Sequence, residues 1–126
     1  MRFTLAAVAL GGAVGALARY GLDWALPASA GGFPWGTWAA NVSGCLLIGA
    51  LTAWLAAKPA PRWVRPAIGI GLLGGYTTFS AYAVETANLL ADGHARIALT
   101  YLLGTVAGAL LAVYAGSRMT RAVLRS

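Results

Sequence analysis

The sequence predicts an all-α membrane protein of four transmembrane helices, the third broken near its middle. Three observations carry this. The chain is 60% apolar and only 10% charged over 126 residues, whereas soluble domains carry roughly 25% charged residues. Four apolar stretches each meet or nearly meet the roughly 20 residues needed to cross the hydrocarbon core. Inside the third runs Gly74-Gly75-Tyr76-Thr77-Thr78-Phe79-Ser80-Ala81-Tyr82. Its adjacent glycines and adjacent threonines propagate a helix poorly. In a bilayer, broken backbone is tolerated only where protein buries it or where it lines a polar cavity, and the freed carbonyls and amides can bind ions.

The first stretch runs from Phe3 to about Leu26, with Arg19 and Asp23 near its end. Arg2, an apolar run and Ala16-Leu17-Ala18 also have the outline of a cleavable secretory signal. Gly11 and Gly15, however, have the four-residue spacing of helix packing in membranes, so a retained span is expected. The second stretch runs from about Thr37 to Ala57 and carries no charge. The third runs from about Pro66 to Ala91 and holds the break and Glu85. The fourth runs from about Ile97 to Ser117, again uncharged. Gly71/Gly75 and Gly104/Gly108 repeat the small-residue spacing, which predicts close packing without identifying a function. The spans consume most of the chain, so a single domain over 1–126 is expected, without linker or tail.

The net charge of +6 and mean hydropathy of +0.73 belong together. The basic residues sit at span ends, which suits topology and lipid headgroups rather than nucleic acid. Cys45 is alone, so no internal disulfide forms and a small packing residue is expected. His94, in Asp92-Gly93-His94, has no cysteine, histidine or carboxylate cluster around it to suggest a metal site. One loop histidine supports no catalytic triad, and no enzyme signature is visible.

The polar residues within the spans carry more information. Alternation of the spans puts Arg19 and Glu85 at similar depth, which predicts an ion pair or a shared hydrogen-bond network. Asn41 lies about one turn into the second span from the same side; its amide either bonds a neighbouring helix or serves a polar path. Phe79 and Tyr82 share a face if the helix resumes after the break, as do Tyr101 and Thr105 on the fourth span.

Along nearly its whole length the chain resembles the Fluc fluoride channels (the CrcB family). Gly12-Ala13-Val14-Gly15-Ala16-Leu17-Ala18-Arg19-Tyr20 is similar to the family's first-span signature. Gly36-Thr37-Trp38-Ala39-Ala40-Asn41-Val42-Ser43-Gly44 is similar to its second, and Gly71-Leu72-Leu73-Gly74-Gly75-Tyr76-Thr77-Thr78-Phe79-Ser80 to its most specific block. The resemblance implies passive export of cytoplasmic fluoride through an antiparallel dimer with two narrow pores, in the plasma membrane of a prokaryote. It implies a central sodium ion held by the backbone carbonyls of Gly74 and Thr77. Asn41 would be the pore amide and Phe79 the first of two pore phenylalanines, with Tyr82 standing where the second is expected. Tyr101 and Thr105 fall on the polar wall of the fourth span, and Ser80 on a polar-track position beside Ala81, which lacks the hydroxyl often found there.

The chemistry of fluoride agrees with such a site. A small, strongly hydrated anion enters a bilayer only if donors replace its water. Amides, hydroxyls and the partly positive edges of aromatic rings can do so, and a buried cation would raise the local potential. A carboxylate in the path would repel the anion, so Glu85 is expected to pair with Arg19 instead. Two other classes are weaker. A small multidrug exporter needs an intramembrane carboxylate in its first span, where this chain has only Asp23 near the end. A non-transporting assembly subunit would not need broken backbone.

Charge by side conflicts with a self-paired antiparallel dimer. Arg2, Lys58, Arg62, Arg65, Arg118, Arg121 and Arg125 fall on one side, against Arg19 and Arg96 on the other. Positive-inside bias then places both termini in the cytoplasm. Either insertion tolerates the bias, or a paralogue of opposite bias is the partner. Single cysteines at Ser29 and Ser126 in a Cys45→Ala background test this in intact cells with an impermeant thiol reagent. The charge count expects labelling at Ser29 alone, whereas labelling at both positions means that the chain inserts both ways.

Overall fold

The computed structural model describes residues 1–126 and is helical throughout, with no strand. The first span is Arg2–Ala25, the second Trp35–Ala57, the third Arg65–Ala91 and the fourth Ala95–Arg125. All four are long and apolar enough to cross a membrane. The bounds follow the apolar stretches closely except at the C-terminus, where the helix runs on from Ser117 to Arg125. Arginine, methionine, alanine and leucine are good helix formers. The backbone therefore propagates after the hydropathy ends.

The third span is broken, as its sequence predicts. It opens with π winding over Arg65–Leu73, continues as a short α turn at Gly74–Tyr76, loses regular structure at residues 77–79, and resumes over Ser80–Ala91. Thr77 is extended, with φ −84° and ψ 155°. The π winding has no counterpart in the sequence reading.

The first span packs along the first half of the third, and the second packs along the fourth. The second half of the third span leans on the second and fourth but does not touch the first. Glycine faces permit these approaches. A Cβ on Gly15 would run into the Leu72 carbonyl, one on Gly11 into the Ala67 carbonyl, and one on Gly75 into the Gly12 carbonyl. The expected pairs Gly11/Gly15 and Gly71/Gly75 therefore interlock. Gly104/Gly108 does not act this way: Gly104 faces open space and Gly108 meets only the side chains of Val42 and Trp38. Gly49 against the Val113 carbonyl and Gly116 against the Leu46 carbonyl do that work between the second and fourth spans. Spacing marks a smooth helix face without saying which neighbour covers it.

The enclosed core is small and lies at one end of the bundle. Tyr82, Leu89, Ala98 and Tyr101 form it, with Phe33, Trp38 and Ile97 packed around them. Phe33, from the first connection, meets Tyr101 edge-on at 5.3 Å between ring centroids. Most other large apolar side chains face outward, including Leu10, Leu17, Leu110 and Leu111. Such a surface suits lipid or another subunit.

Gly15→Val should lower the thermal unfolding midpoint of the purified protein, because the obstructing atom is backbone and cannot rotate away. Overpacking of this kind costs about 1–3 kcal/mol. Gly104→Ala, facing open space, should leave the midpoint unchanged or raise it.

Candidate functional site

The break is held by one side chain from the second span. Asn41 donates from Nδ2 to the Thr78 carbonyl at 2.9 Å, and the Thr78 N–H donates to Asn41 Oδ1 at 2.7 Å. A primary amide has a donor and an acceptor side by side, so it can close both bonds with one residue's backbone. The two bonds also fix the amide orientation. Asn41 is nearly buried, and one of its amide hydrogens remains for a further acceptor.

This clamp decides which carbonyls the break frees. In an unbroken helix the Thr78 N–H would go to the Gly74 carbonyl, but it goes to Asn41. The Ala81 N–H would go to the Thr77 carbonyl, but it goes to the Thr78 hydroxyl at 3.2 Å. The Gly75 carbonyl accepts from Arg19 Nε at 3.4 Å. Gly74 and Thr77 thus lose their helical donors within one turn of each other. They are also the positions at which the family resemblance expects sodium.

Beside the break lies an open groove of about 340 Å³. Asn41, Phe79, Tyr82 and Thr105 line it, with Cys45 and Thr78 among their neighbours. Phe79 is 79% exposed, and its ring lies 5.8 Å from that of Tyr82. Thr105 is only 6% exposed, yet its hydroxyl has no hydrogen-bond partner. A buried hydroxyl left unpaired costs about 1–3 kcal/mol. It is therefore a donor left without a partner in the groove wall.

The other expected site residues are placed differently. Tyr82 lines the groove, but its hydroxyl donates to the Leu102 carbonyl at 2.7 Å, so its proton is committed elsewhere. Tyr101 is fully buried and donates to Glu85 Oε2 at 2.6 Å. Ser80 lies within 3.3 Å of the Thr78 hydroxyl and does not line the groove. Cys45, expected as a buried packing residue, is half-buried on the groove wall.

The expected Arg19–Glu85 pair is not made within the chain. Glu85 accepts from Thr37 Oγ1 at 2.8 Å and from Tyr101, while Arg19 reaches Gly75. The reason is the packing: Arg19 is on the first span, which reaches only the first half of the third, and Glu85 is on the second half. Nor do the two share a level: Arg19 lies against Gly75 at the start of the break, whereas Glu85 sits further along, with Asp23, Gly36 and Thr37. Thr37 was missed, although it lies one turn before Asn41 on the same helix face. Thr78 was missed as the clamped residue because its twin Thr77 carries the same local signal.

Asn41→Asp keeps the acceptor for the Thr78 N–H but sets a carboxyl oxygen against the Thr78 carbonyl. Asn41→Leu removes both bonds. Each should destabilise the break by about 1–3 kcal/mol. Hydrogen exchange at the Thr78 amide should speed up most in the leucine variant. Unchanged protection there would show that the clamp does not hold the break.

Residues 6–117 match the family model described as CrcB-like protein, Camphor Resistance (CrcB). The chain is 47% identical over 122 residues to fluoride-specific ion channel FluC 1 of Streptomyces coelicolor, covering 96% of this chain and 79% of that protein. It is 44% identical over 121 residues to fluoride-specific ion channel FluC of Paracoccus denitrificans, covering 96% of this chain and 97% of that one. A third relative, fluoride-specific ion channel FluC 2 of Nocardia farcinica, is 45% identical over 122 residues, covering 93% and 84%. With four membrane-crossing helices and matches of this extent, the chain belongs to the CrcB family.

Proposed function

We propose that this protein conducts fluoride passively across the plasma membrane of a prokaryote, down the ion's electrochemical gradient. The observation that carries the reading is the unpartnered Thr105 hydroxyl in a groove shared with Asn41, Phe79 and Tyr82. The relatives' names, fluoride-specific ion channels, support the same reading and are consistent with transport rather than catalysis. In the groove, fluoride would exchange water for the Thr105 hydroxyl and the free amide hydrogen of Asn41. The ring edges of Phe79 and Tyr82 would face it with partial positive charge. Low dielectric strengthens each of these contacts.

The Gly74 and Thr77 carbonyls fit a hard cation such as sodium, since both are oxygen donors released by the same break. A sodium ion bound there would place positive charge beside the anion path. The chain's own contribution is the geometry: Asn41 diverts one amide, the Thr78 hydroxyl a second, and Arg19 takes up the carbonyl between. Two copies in antiparallel orientation would cover the open groove and the exposed Phe79 ring. This meets the requirement that broken backbone in a bilayer be enclosed by protein. The Lys/Arg asymmetry favours a second reading of the pair, in which the partner is a paralogue of opposite bias.

Liposomes loaded with fluoride should empty when the membrane potential is clamped, and should retain chloride. Efflux that requires a proton gradient, or equal chloride flux, would sink the proposal. Thr105→Val should slow fluoride efflux about tenfold or more, the scale of one lost hydrogen bond to a charged ligand. Tyr82→Phe should keep most of the flux, because the hydroxyl that it removes is committed to Leu102.

A further inference from the structure

The fourth span carries a second polar feature, far from the groove. Tyr114, Arg118, Arg121 and Arg125 fall within about 60° of arc on one helix face. Gly116, against Leu46, and Thr120, beside Leu47 and Trp54, hold the roughly opposite face to the bundle. The arginine face therefore points outward. Its guanidinium groups border a cleft of about 390 Å³ with Met119 and Ala122. The Arg118 guanidinium lies 5.9 Å from the Tyr114 ring centroid.

Like charges three and four residues apart on a helix repel one another. The helix dipole offsets only the last turn, and no side-chain carboxylate offsets the rest, because Asp23, Glu85 and Asp92 all belong to the opposite side of the bundle. Position supplies the missing partner. The helix of 31 residues is about 46 Å long at 1.5 Å per residue, against roughly 30 Å of hydrocarbon. Its last turns therefore reach headgroup level.

We propose that this face binds the headgroup of an anionic phospholipid. The arginine fork suits a phosphate diester, and Met119 and Ala122, which border the same cleft, offer contact to an acyl chain. Tyr114 stands one turn deeper, where aromatic side chains favour the interface. These apolar neighbours point to a lipid rather than a free anion, which would not use them. The inference does not depend on which ion the groove carries.

Purified protein titrated with phosphatidylglycerol, phosphatidylcholine or inorganic phosphate tests it, with retained lipid read by native mass spectrometry and stability by thermal unfolding. Phosphatidylglycerol alone should be retained and should raise the unfolding midpoint. Arg118→Gln/Arg121→Gln/Arg125→Gln should weaken that retention by about tenfold or more, while the charge-matched Arg2→Gln/Lys58→Gln/Arg65→Gln should keep it. If the first triple variant does not insert, Arg121→Gln alone should weaken retention about fivefold. Equal loss in both triple variants, equal retention of phosphatidylcholine, or equal stabilisation by inorganic phosphate would overturn the assignment.

Discussion

The two hydrogen bonds between Asn41 and the backbone of Thr78 are the interaction on which the rest of this structure depends. A helix that stops inside a bilayer exposes amides and carbonyls that lipid cannot satisfy. One primary amide satisfies a donor and an acceptor of the same residue. In doing so it commits the third span to its break and turns Phe79 toward the groove. The Thr78 hydroxyl then takes one further amide and Arg19 one carbonyl, which leaves the Gly74 and Thr77 carbonyls without their helical donors.

Placing that clamp is a problem of packing. Asn41 reaches Thr78 only because the second span lies close to the third at the break, and glycine lets this happen. A Cβ on Gly44, one turn beyond Asn41, would meet the Thr77 methyl. The first span presses on the other flank through Gly12 and Gly15, whose neighbours are backbone atoms of Gly75, Leu72 and Tyr76. The break is thus enclosed on two sides, by backbone contact with the first span and by the Asn41, Ser43 and Tyr76 side chains against the second. Its remaining side is the groove.

Much of this was legible in the sequence, and the losses have identifiable causes. Hydropathy located the spans because burial in lipid is a property of each segment alone. Gly-Gly-Tyr-Thr-Thr located the break because helix propensity is local. Pairing between spans is not local. Arg19 and Glu85 fall near the same end of their spans in the sequence, but that says nothing about which faces meet, and each found another partner. The hydroxyls of Tyr82 and Tyr101 were legible as polar groups at suitable positions. That each spends its one proton on a protein acceptor, leaving Thr105 unpaired, follows only from how the fourth span is rotated.

The π winding of Arg65–Leu73 bears on how such a chain can change over time. A π turn is commonly the trace of one extra residue accommodated in a helix whose ends are already fixed by their surroundings. Here Pro66 stands at one end and the clamped break at the other. Removing a single residue between them would restore ordinary winding while Gly75 stays against the first span and Thr78 against Asn41. The wide winding is thus the stretch of the third span in which a change of length can be absorbed before it reaches the groove, whereas the same change between Gly74 and Thr78 would part the clamp at once.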